Sequence, residues 1–210
     1  MNENQLREQM AELGKSLYDR GLAHGSAGNI SVKLADGYLL TPTNSCLGRL
    51  DPAKISRLDS NGKLVGGDAP SKEAFLHLNM YGERPKSAAV VHLHSLHAVA
   101  VSCLDGLNAE DVFPPITAYA VMQVGKLALA PYYAPGDMAL AEAVRKLAGK
   151  HHAILLANHG PVVAGTSLTA AVYAIEELEQ TAKLMLLLQG HATRLLTPEQ
   201  IADLNRRFPG

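Results

Sequence analysis

Histidine is the side chain with the widest chemical reach here, nine in a chain of 210 residues, and two stand one residue apart in Val90-Val91-His92-Leu93-His94-Ser95. The β-rich apolar run leading to them predicts a buried strand over Ser87–Leu93. Side chains at i and i+2 of a strand share a face, so His92 and His94 project together while Val91 and Leu93 face the other way. Two such imidazoles can share one ion at about 2.0–2.1 Å from each nitrogen. Two hydrogen-bonded histidines at a strand end meet the same pattern, and the motif alone leaves both readings open. A third histidine follows the apolar strand expected over Ala153–Ala157, in Asn158-His159-Gly160. Added to His92 and His94, it would complete a three-histidine set with an open coordination position, which suits catalysis better than structure. His97, one turn past His94, is the best substitute ligand, whereas His24, His77, His151, His152 and His191 have no such placement.

Anion chemistry has its own candidates. Pro70-Ser71-Lys72-Glu73 opens a helix predicted to run to about Tyr81, with Ser71 as N-cap and Glu73 in the first turn. The free N–H groups and positive dipole end of a helix start attract anions, although ordinary capping fits the same residues. Two small polar turns, Ser26–Ser31 and Thr41–Asn44, carry hydroxyl, amide and backbone donors suited to a phosphate. Neither matches GxxxxGK[ST] or GxGxxG, so no nucleotide is implied.

The elements that must hold these residues follow from periodicity and punctuation. Leu6, Met10, Leu13 and Leu17 predict a helix over residues 3–20 that stops at Gly21. Strands are expected at 30–34 and 38–41, joined by Asp36-Gly37 as a hairpin, and near 55–58 ahead of the Asn61-Gly62 turn. Further on come a helix over 95–104, an irregular proline-containing stretch, a strand at 126–130 and a helix over 137–150. The strand at 153–157 is expected to continue at 161–164 beyond a turn. Ser167 caps a long helix to about Leu188, and Thr197-Pro198-Glu199-Gln200 is a capping box opening a last short helix. The mixture predicts an α/β fold in which a mixed, largely antiparallel central sheet lies between helical layers, α/β/α, as one domain spanning 1–210.

Composition narrows the function classes. Nineteen basic residues against twenty acidic ones give a net charge of −1, and the isoelectric point lies near 6.7. That balance argues against nucleic acid or an anionic membrane as the main partner. With 47 % apolar residues, 19 % charged residues and a mean hydropathy of +0.01, the chain is no disordered polyelectrolyte. No apolar signal core or membrane-length run is present, and Leu184–Leu188 reads as a buried helix face or subunit contact. Cys46 and Cys103 form no CxxC pair and read as free thiols, so the expected location is a reducing cytoplasm.

Taken in order, Gly28-Asn29-Ile30-Ser31, Thr41-Pro42-Thr43, Pro70-Ser71-Lys72-Glu73, His92-Leu93-His94 and His159-Gly160 resemble the motifs of the class II aldolase/adducin family, from about residue 5 to 205. The resemblance implies the three-layer fold of that family and a divalent ion held by His92, His94, His159 and Glu73. Zinc suits that donor set, with manganese, cobalt or iron as alternatives. It further implies Glu73 as acid/base and a phosphate pocket from Gly28, Asn29, Ser31, Thr43, Asn44, Ser71 and Lys72. Fuculose- and rhamnulose-type aldolases of the family also use a tyrosine from the adjoining subunit, and Tyr119 stands at that place. Cyclic homotetramers with inter-subunit sites are implied as well.

Departures from the aldolase pattern refine the expectation. Asn44 replaces a glycine of the second loop and Lys72 a serine before the glutamate, while Glu73 itself disfavours the epimerase branch, which prefers aspartate. His24–Ser31, Cys46-Leu47-Gly48, Pro114–Thr117 and Glu176–Glu179 are most similar to the bacterial 3-oxo-tetronate 4-phosphate decarboxylase branch. The resemblance therefore implies a carbon–carbon lyase of sugar-acid catabolism. Its substrate is a small phosphorylated sugar acid that loses CO2 through an enediolate. Lys72 would orient the substrate carboxylate or the phosphate. The rival readings are a ketose 1-phosphate aldolase and a non-catalytic scaffold like the adducin head, the latter disfavoured by the intact His92, His94, His159 and Glu73.

Overall fold

The computed structural model describes every residue except Pro135, Pro209 and Gly210. Eight strands form one sheet: β1 (Asn29–Leu34), β2 (Gly37–Leu40), β3 (Ser56–Asp59), β4 (Leu64–Gly66), β5 (Ala89–His92), β6 (Ala128–Ala130), β7 (Ala153–Leu156) and β8 (Gly160–Gly165). They lie in the order β4-β3-β2-β1-β5-β8-β7-β6. Every neighbouring pair is antiparallel except β6 and β7. The helices are α1 (Glu3–Asp19), α2 (Ala74–Glu83), α3 (Leu96–Ser102), α4 (Met138–Ala148), α5 (Leu168–Leu187) and α6 (Pro198–Arg207). None of the described helices is long and apolar enough to cross a membrane.

The two-residue period of the strands divides the core into two slabs. Val91, Leu155 and Val163 pack on one face with Met10 and Leu17 of α1, Ala98 and Val101 of α3, and Ile175 and Leu178 of α5. Their neighbours Val90, Ile154, Leu156 and Val162 face the other way, against Leu76 and Met80 of α2 and Leu140 and Val144 of α4. The result is the expected α/β/α sandwich with a mixed, largely antiparallel sheet. Both sheet faces are covered, which is why the central strands read as unbroken apolar runs rather than alternating ones.

Several local expectations are corrected. Residues 161–164 do not continue the preceding strand; the chain reverses through Ala157–His159, and β8 returns antiparallel to β7 with Leu156 opposite Gly160. Asn158 makes that reversal at φ 55°, a conformation asparagine tolerates better than most side chains. Helix α2 begins at Ala74, so Ser71 is not its cap. Ser71 instead forms a turn ahead of the helix, its Oγ accepting from the Glu73 N–H at 3.2 Å and its carbonyl from the Ala74 N–H at 3.1 Å. The edge strand β4 has three residues, two of them exposed, and shows no alternation to betray it. Ala120–Val124, within the stretch expected to be irregular, forms one turn of π-helix. The Leu184–Leu188 run is half-buried to exposed, with Met185 and Leu186 packed against the core. Both cysteines are free thiols.

Helix α3, directly after the His92–His94 segment, is tied down by a carboxylate from α5. Glu179 accepts from the backbone N–H groups of His97 and Ala98, both at 2.9 Å, and from His97 Nδ1 at 2.7 Å. His97 is held by Glu179 and stands outside the group formed by Glu73, His92, His94 and His159. Burial pushes the Glu179 carboxyl up, but the two backbone donors outweigh it and hold it below the ordinary glutamate range. A carboxyl lowered on folding stabilises the fold above its unfolded value and loses that contribution as pH falls through the folded one. Glu179→Gln is expected to cost about 1–3 kcal/mol at pH 7 by weakening two backbone contacts. The deficit relative to the unaltered chain should shrink on acidification below about pH 4, near the unfolded glutamate value, as measured by urea denaturation across pH.

Candidate active site

His92 is the last residue of β5, and its ring is fully buried. Its Nδ1 lies 2.8 Å from the Pro161 carbonyl. A carbonyl can only accept, so Nδ1 carries the proton and Nε2 keeps a free lone pair, the arrangement that orients metal-binding histidines. His94 follows just beyond the strand, with its Nε2 3.0 Å from that of His92. His159 arrives from the β7–β8 turn, with Nε2 3.2 Å from Glu73 Oε1. The other carboxylate oxygen, Oε2, is 3.5 Å from His92 Nε2 and accepts from the Asn29 side-chain amide at 2.7 Å. The three rings stand edge to face with centroids 4.7–4.9 Å apart.

Backbone geometry brings the turn and the strand end together. Gly160 has φ +156°, and a Cβ there would stand 2.3 Å from the Leu93 carbonyl, so only glycine lets the β7–β8 turn lie against the His92–His94 segment. Gly28, at φ +86°, approaches the His92 carbonyl in the same way from β1's side, its Cβ position being 3.0 Å away. The Thr41–Thr43 loop is fixed by Thr43 N–H donating to the Ala69 carbonyl at 2.9 Å and Ser71 N–H to the Thr41 carbonyl at 3.2 Å.

Glu73, His92 and His94 have the electrostatics of ligands. Burial pushes the His92 imidazole down to about 4 and lowers that of His94. Both are therefore neutral at pH 7, with lone pairs available. Burial raises the Glu73 carboxyl, but the hydrogen bonds from His159 and the Asn29 amide outweigh it and hold it well below the ordinary range. One carboxylate oxygen and three imidazole nitrogens lie within 4.8 Å of one another. A tetrahedral ion at ~2.0–2.1 Å from four donors sets them ~3.3–3.4 Å apart; the His92–His94 nitrogens are 3.0 Å apart, and His159 and His92 stand 3.2 and 3.5 Å from different oxygens of Glu73. In type and grouping the donors, three imidazoles and one carboxylate, fit a divalent ion.

Two cavities meet at this cluster, each lined by Glu73 and His94. The smaller, about 330 Å3, is lined by Gly28, Asn29, Thr43, Asn44, Ser71 and Lys72, which brings together all but one of the residues expected at a phosphate. Ser31 is the exception and a correction. It is 1 % exposed, and its hydroxyl is engaged by His77 and Tyr81, so it offers nothing to a ligand. Its parity places it one strand position pair beyond Asn29, under α2. Tyr119 is 62 % exposed at the head of the π-helical turn and lines neither cavity of its own chain. The larger cavity, about 500 Å3, adds His24, Tyr132, Tyr133 and Asn158 beside His94 and His159. Those residues lie in turns and loops, where no periodicity marks them, and the one signal for His24 is its place at the head of the His24–Ser31 segment.

The class II aldolase and adducin N-terminal domain model matches residues 8–186. The chain belongs to the class II aldolase/adducin family. A 3-oxo-tetronate 4-phosphate decarboxylase of Pectobacterium atrosepticum is 50 % identical over 205 residues, covering 97 % of this chain and 94 % of that protein. The crystal structure of YgbL from Escherichia coli superposes with a TM-score of 0.94 at 48 % identity, covering 96 % of this chain and 98 % of that one. An L-fuculose phosphate aldolase of Haemophilus influenzae is 34 % identical over 211 residues, 99 % of this chain and 95 % of its own. Class II aldolase family membership makes the His/Glu cluster a candidate metal centre on sequence and geometry together.

The cluster sets a direct expectation for metal content. His92→Ala and His159→Ala each remove one donor from the set, and both proteins should lose most of their bound divalent ion while retaining the wild-type circular dichroism spectrum. Gly160→Ala, which forces the turn away from Leu93, should weaken metal retention with all four donors still present. Plasma emission analysis after desalting checks all three.

Proposed function

We propose that this chain decarboxylates a 3-oxo-tetronate 4-phosphate to dihydroxyacetone phosphate. The observation that carries the reading is 50 % identity over nearly the whole chain to a protein of that activity, with His92, His94, His159 and Glu73 converging between two cavities. The chain is thus a carbon–carbon lyase, acting as one catalytic domain over residues 1–210. The resident ion is zinc, with manganese, cobalt or iron able to occupy the same donors. When bound, it supplies Lewis-acid stabilisation of negative charge on substrate oxygen.

The chain's own residues divide the remaining work. Gly28, Asn29, Thr43, Asn44, Ser71 and Lys72 line the smaller cavity and hold the phosphate through backbone N–H, amide, hydroxyl and ammonium donors. Anchored there, a four-carbon acid places its hydroxy-ketone portion at Glu73 and His94 and its carboxylate toward the larger cavity. The C1–C2 bond breaks, CO2 leaves, and the electron pair passes into the C2–C3–oxygen system as an enediolate. C2 then takes one proton to give dihydroxyacetone phosphate. Glu73, with a side chain 17 % exposed and open to both cavities, takes a proton from solvent and delivers it at C2. Tyr119, exposed on its own chain, reaches the cavity of a neighbouring subunit in a homotetramer and assists there. The site serves sugar-acid catabolism in the cytoplasm.

Cleavage of a ketose 1-phosphate is the second reading, favoured by the 34 % identity to an L-fuculose phosphate aldolase. The two reactions share an enediolate and differ in the group that leaves. Metal-loaded protein given 3-oxo-tetronate 4-phosphate should release CO2 and dihydroxyacetone phosphate in equal amounts, read by a coupled glycerol-phosphate dehydrogenase assay. Lactaldehyde from L-fuculose 1-phosphate at a higher kcat/KM would transfer the assignment to the aldolase. Glu73→Gln should lower kcat by ~10²–10⁴, the range for loss of a general acid/base. Lys72→Ala should raise KM about tenfold, equivalent to about 1.4 kcal/mol of binding, with kcat changed by less than about twofold.

A further inference from the structure

Glu73 is the end of a line of buried polar side chains of which the steps above use only Asn29, and that for the phosphate. Its Oε2 accepts from Asn29 Nδ2 at 2.7 Å. Asn29 Oδ1 meets His77 Nε2 at 2.5 Å, and His77 Nδ1 lies 2.7 Å from Ser31 Oγ. Ser31 Oγ is in turn 2.8 Å from the Tyr81 hydroxyl. Asn29, Ser31, His77 and Tyr81 are all 4 % exposed or less. Only Asn29 lines a cavity.

Elementary donor–acceptor rules give this line a single direction. A carboxylate only accepts, so Asn29 must turn its NH2 toward Glu73 and its carbonyl toward His77. That carbonyl also only accepts, so His77 carries its proton on Nε2. Burial holds the His77 imidazole down to about 3, which keeps the ring neutral and makes Nδ1 an acceptor. Ser31 therefore donates to Nδ1 and accepts from Tyr81, whose phenol burial pushes up and keeps protonated. Each member has one orientation that satisfies its neighbours, and that orientation ends with an N–H aimed at Glu73.

The fold explains why the line exists. Asn29 and Ser31 share the α2-facing side of β1, while His77 and Tyr81, four apart, share one face of α2. Asn29 stands opposite His92 in the β1–β5 register, so the line terminates beside the metal-ligand cluster. An asparagine amide has two faces of nearly equal shape, and without His77 it would be free to turn its oxygen toward the Glu73 carboxylate. Two acceptors at 2.7 Å repel, and the carboxylate would leave its place between His92 and His159.

We propose that His77 is a positioning residue for the reaction: by fixing the orientation of the Asn29 amide through its Nε2–H, it holds the Glu73 carboxylate in the place where it acts. The catalytic half of this statement rests on the role of Glu73 proposed above, and the structural half does not. Nitrogen-15 spectra of the purified protein labelled at histidine should show His77 as the neutral Nε2-protonated form. The Asn29 side-chain amide should give two well-separated proton resonances that merge toward ordinary values in His77→Phe. In kinetics, His77→Phe should lower kcat about 10–100-fold, the usual effect of losing a group that orients a site residue, with KM within about twofold. His77→Gln, whose amide nitrogen can stand where Nε2 stood, should recover most of the lost kcat.

An Nδ1-protonated His77 would overturn the proposal, as would full kcat in a folded His77→Phe or a His77→Gln no better than His77→Phe. Should His77→Phe fail to fold, Ser31→Ala removes the donor to Nδ1 while leaving His77 in place. It should introduce the Nδ1-protonated form and lower kcat several-fold, and an unchanged tautomer with unchanged kcat would refute the mechanism. If the unaltered protein releases no CO2 from the acid phosphate, the substrate reading fails by itself, because the tautomer and the Asn29 resonances are measured without substrate.

Discussion

A carboxylate that is four-fifths withdrawn from water must be surrounded by donors or it will take up a proton, and Glu73 meets this demand with two donors, His159 and Asn29, from separate parts of the chain, and stands beside the His92 ring from a third. His92 comes from the end of β5, His159 from the β7–β8 turn and Asn29 from the first residue of β1. Glu73 itself stands in the turn just before α2, where its backbone is not yet helical. None of these segments is close to another in sequence. The antiparallel pairing of β1 with β5 and of β5 with β8 is what gathers them, since it places the start of β1, the end of β5 and the start of β8 at the same end of the sheet. The sheet order at the centre of the fold and the charge state of one glutamate are therefore linked.

Close approach of backbones is the second requirement. The glycine at 160 carries no Cβ because the Leu93 carbonyl occupies that space, and the glycine at 28 is similarly close to His92. Both glycines sit beside a ligand residue or its strand neighbour. The small residues in these motifs thus set how near the histidine-bearing segments come to one another, and the histidines then need no long side chain to converge. Their short reach makes the donor positions stiff, which is what an ion with a preferred geometry demands.

Much of this was legible in the sequence, for identifiable reasons. His92 and His94 were readable as a pair because alternation along an extended chain is local, and it persists through His94 even though the strand itself stops at His92. The two slabs of the core were readable as apolar runs. What local patterns do not carry is partnership. Ser31 looked like one more small polar residue in a phosphate turn, yet its parity turns it inward to α2. His77 looked like an isolated helical histidine because its partners Asn29 and Ser31 lie more than forty residues away. The reversal at Asn158 was hidden for a different reason: two apolar runs separated by a short turn look alike whether the second continues the first or returns beside it.

The shared cluster also constrains where substrate choice can reside. Decarboxylation and aldol cleavage both leave an enediolate next to a phosphate-bearing carbon, so the donors at His92, His94 and His159, the carboxylate at Glu73 and the small cavity can serve either without change. The groups that leave are different: CO2 departs from an anionic carboxylate, whereas an aldehyde departs from a neutral carbinol and must give up a hydroxyl proton. With the phosphate in the smaller cavity, as proposed, that distinction can only be sensed on the other side, in the larger cavity where His24, Tyr132, Tyr133 and Asn158 stand beside His94 and His159. An imidazole there can meet a carboxylate as a hydrogen-bond donor in either charge state, and a phenol can donate to one as well. A wall with such donors tolerates the negative charge of an acid in a way that an apolar wall does not, because a carboxylate left without partners at a partly buried surface loses more than it gains. The phosphate end and the ligand cluster thus account for what the two chemistries have in common, and the residues of the larger cavity are the part of the site free to separate them.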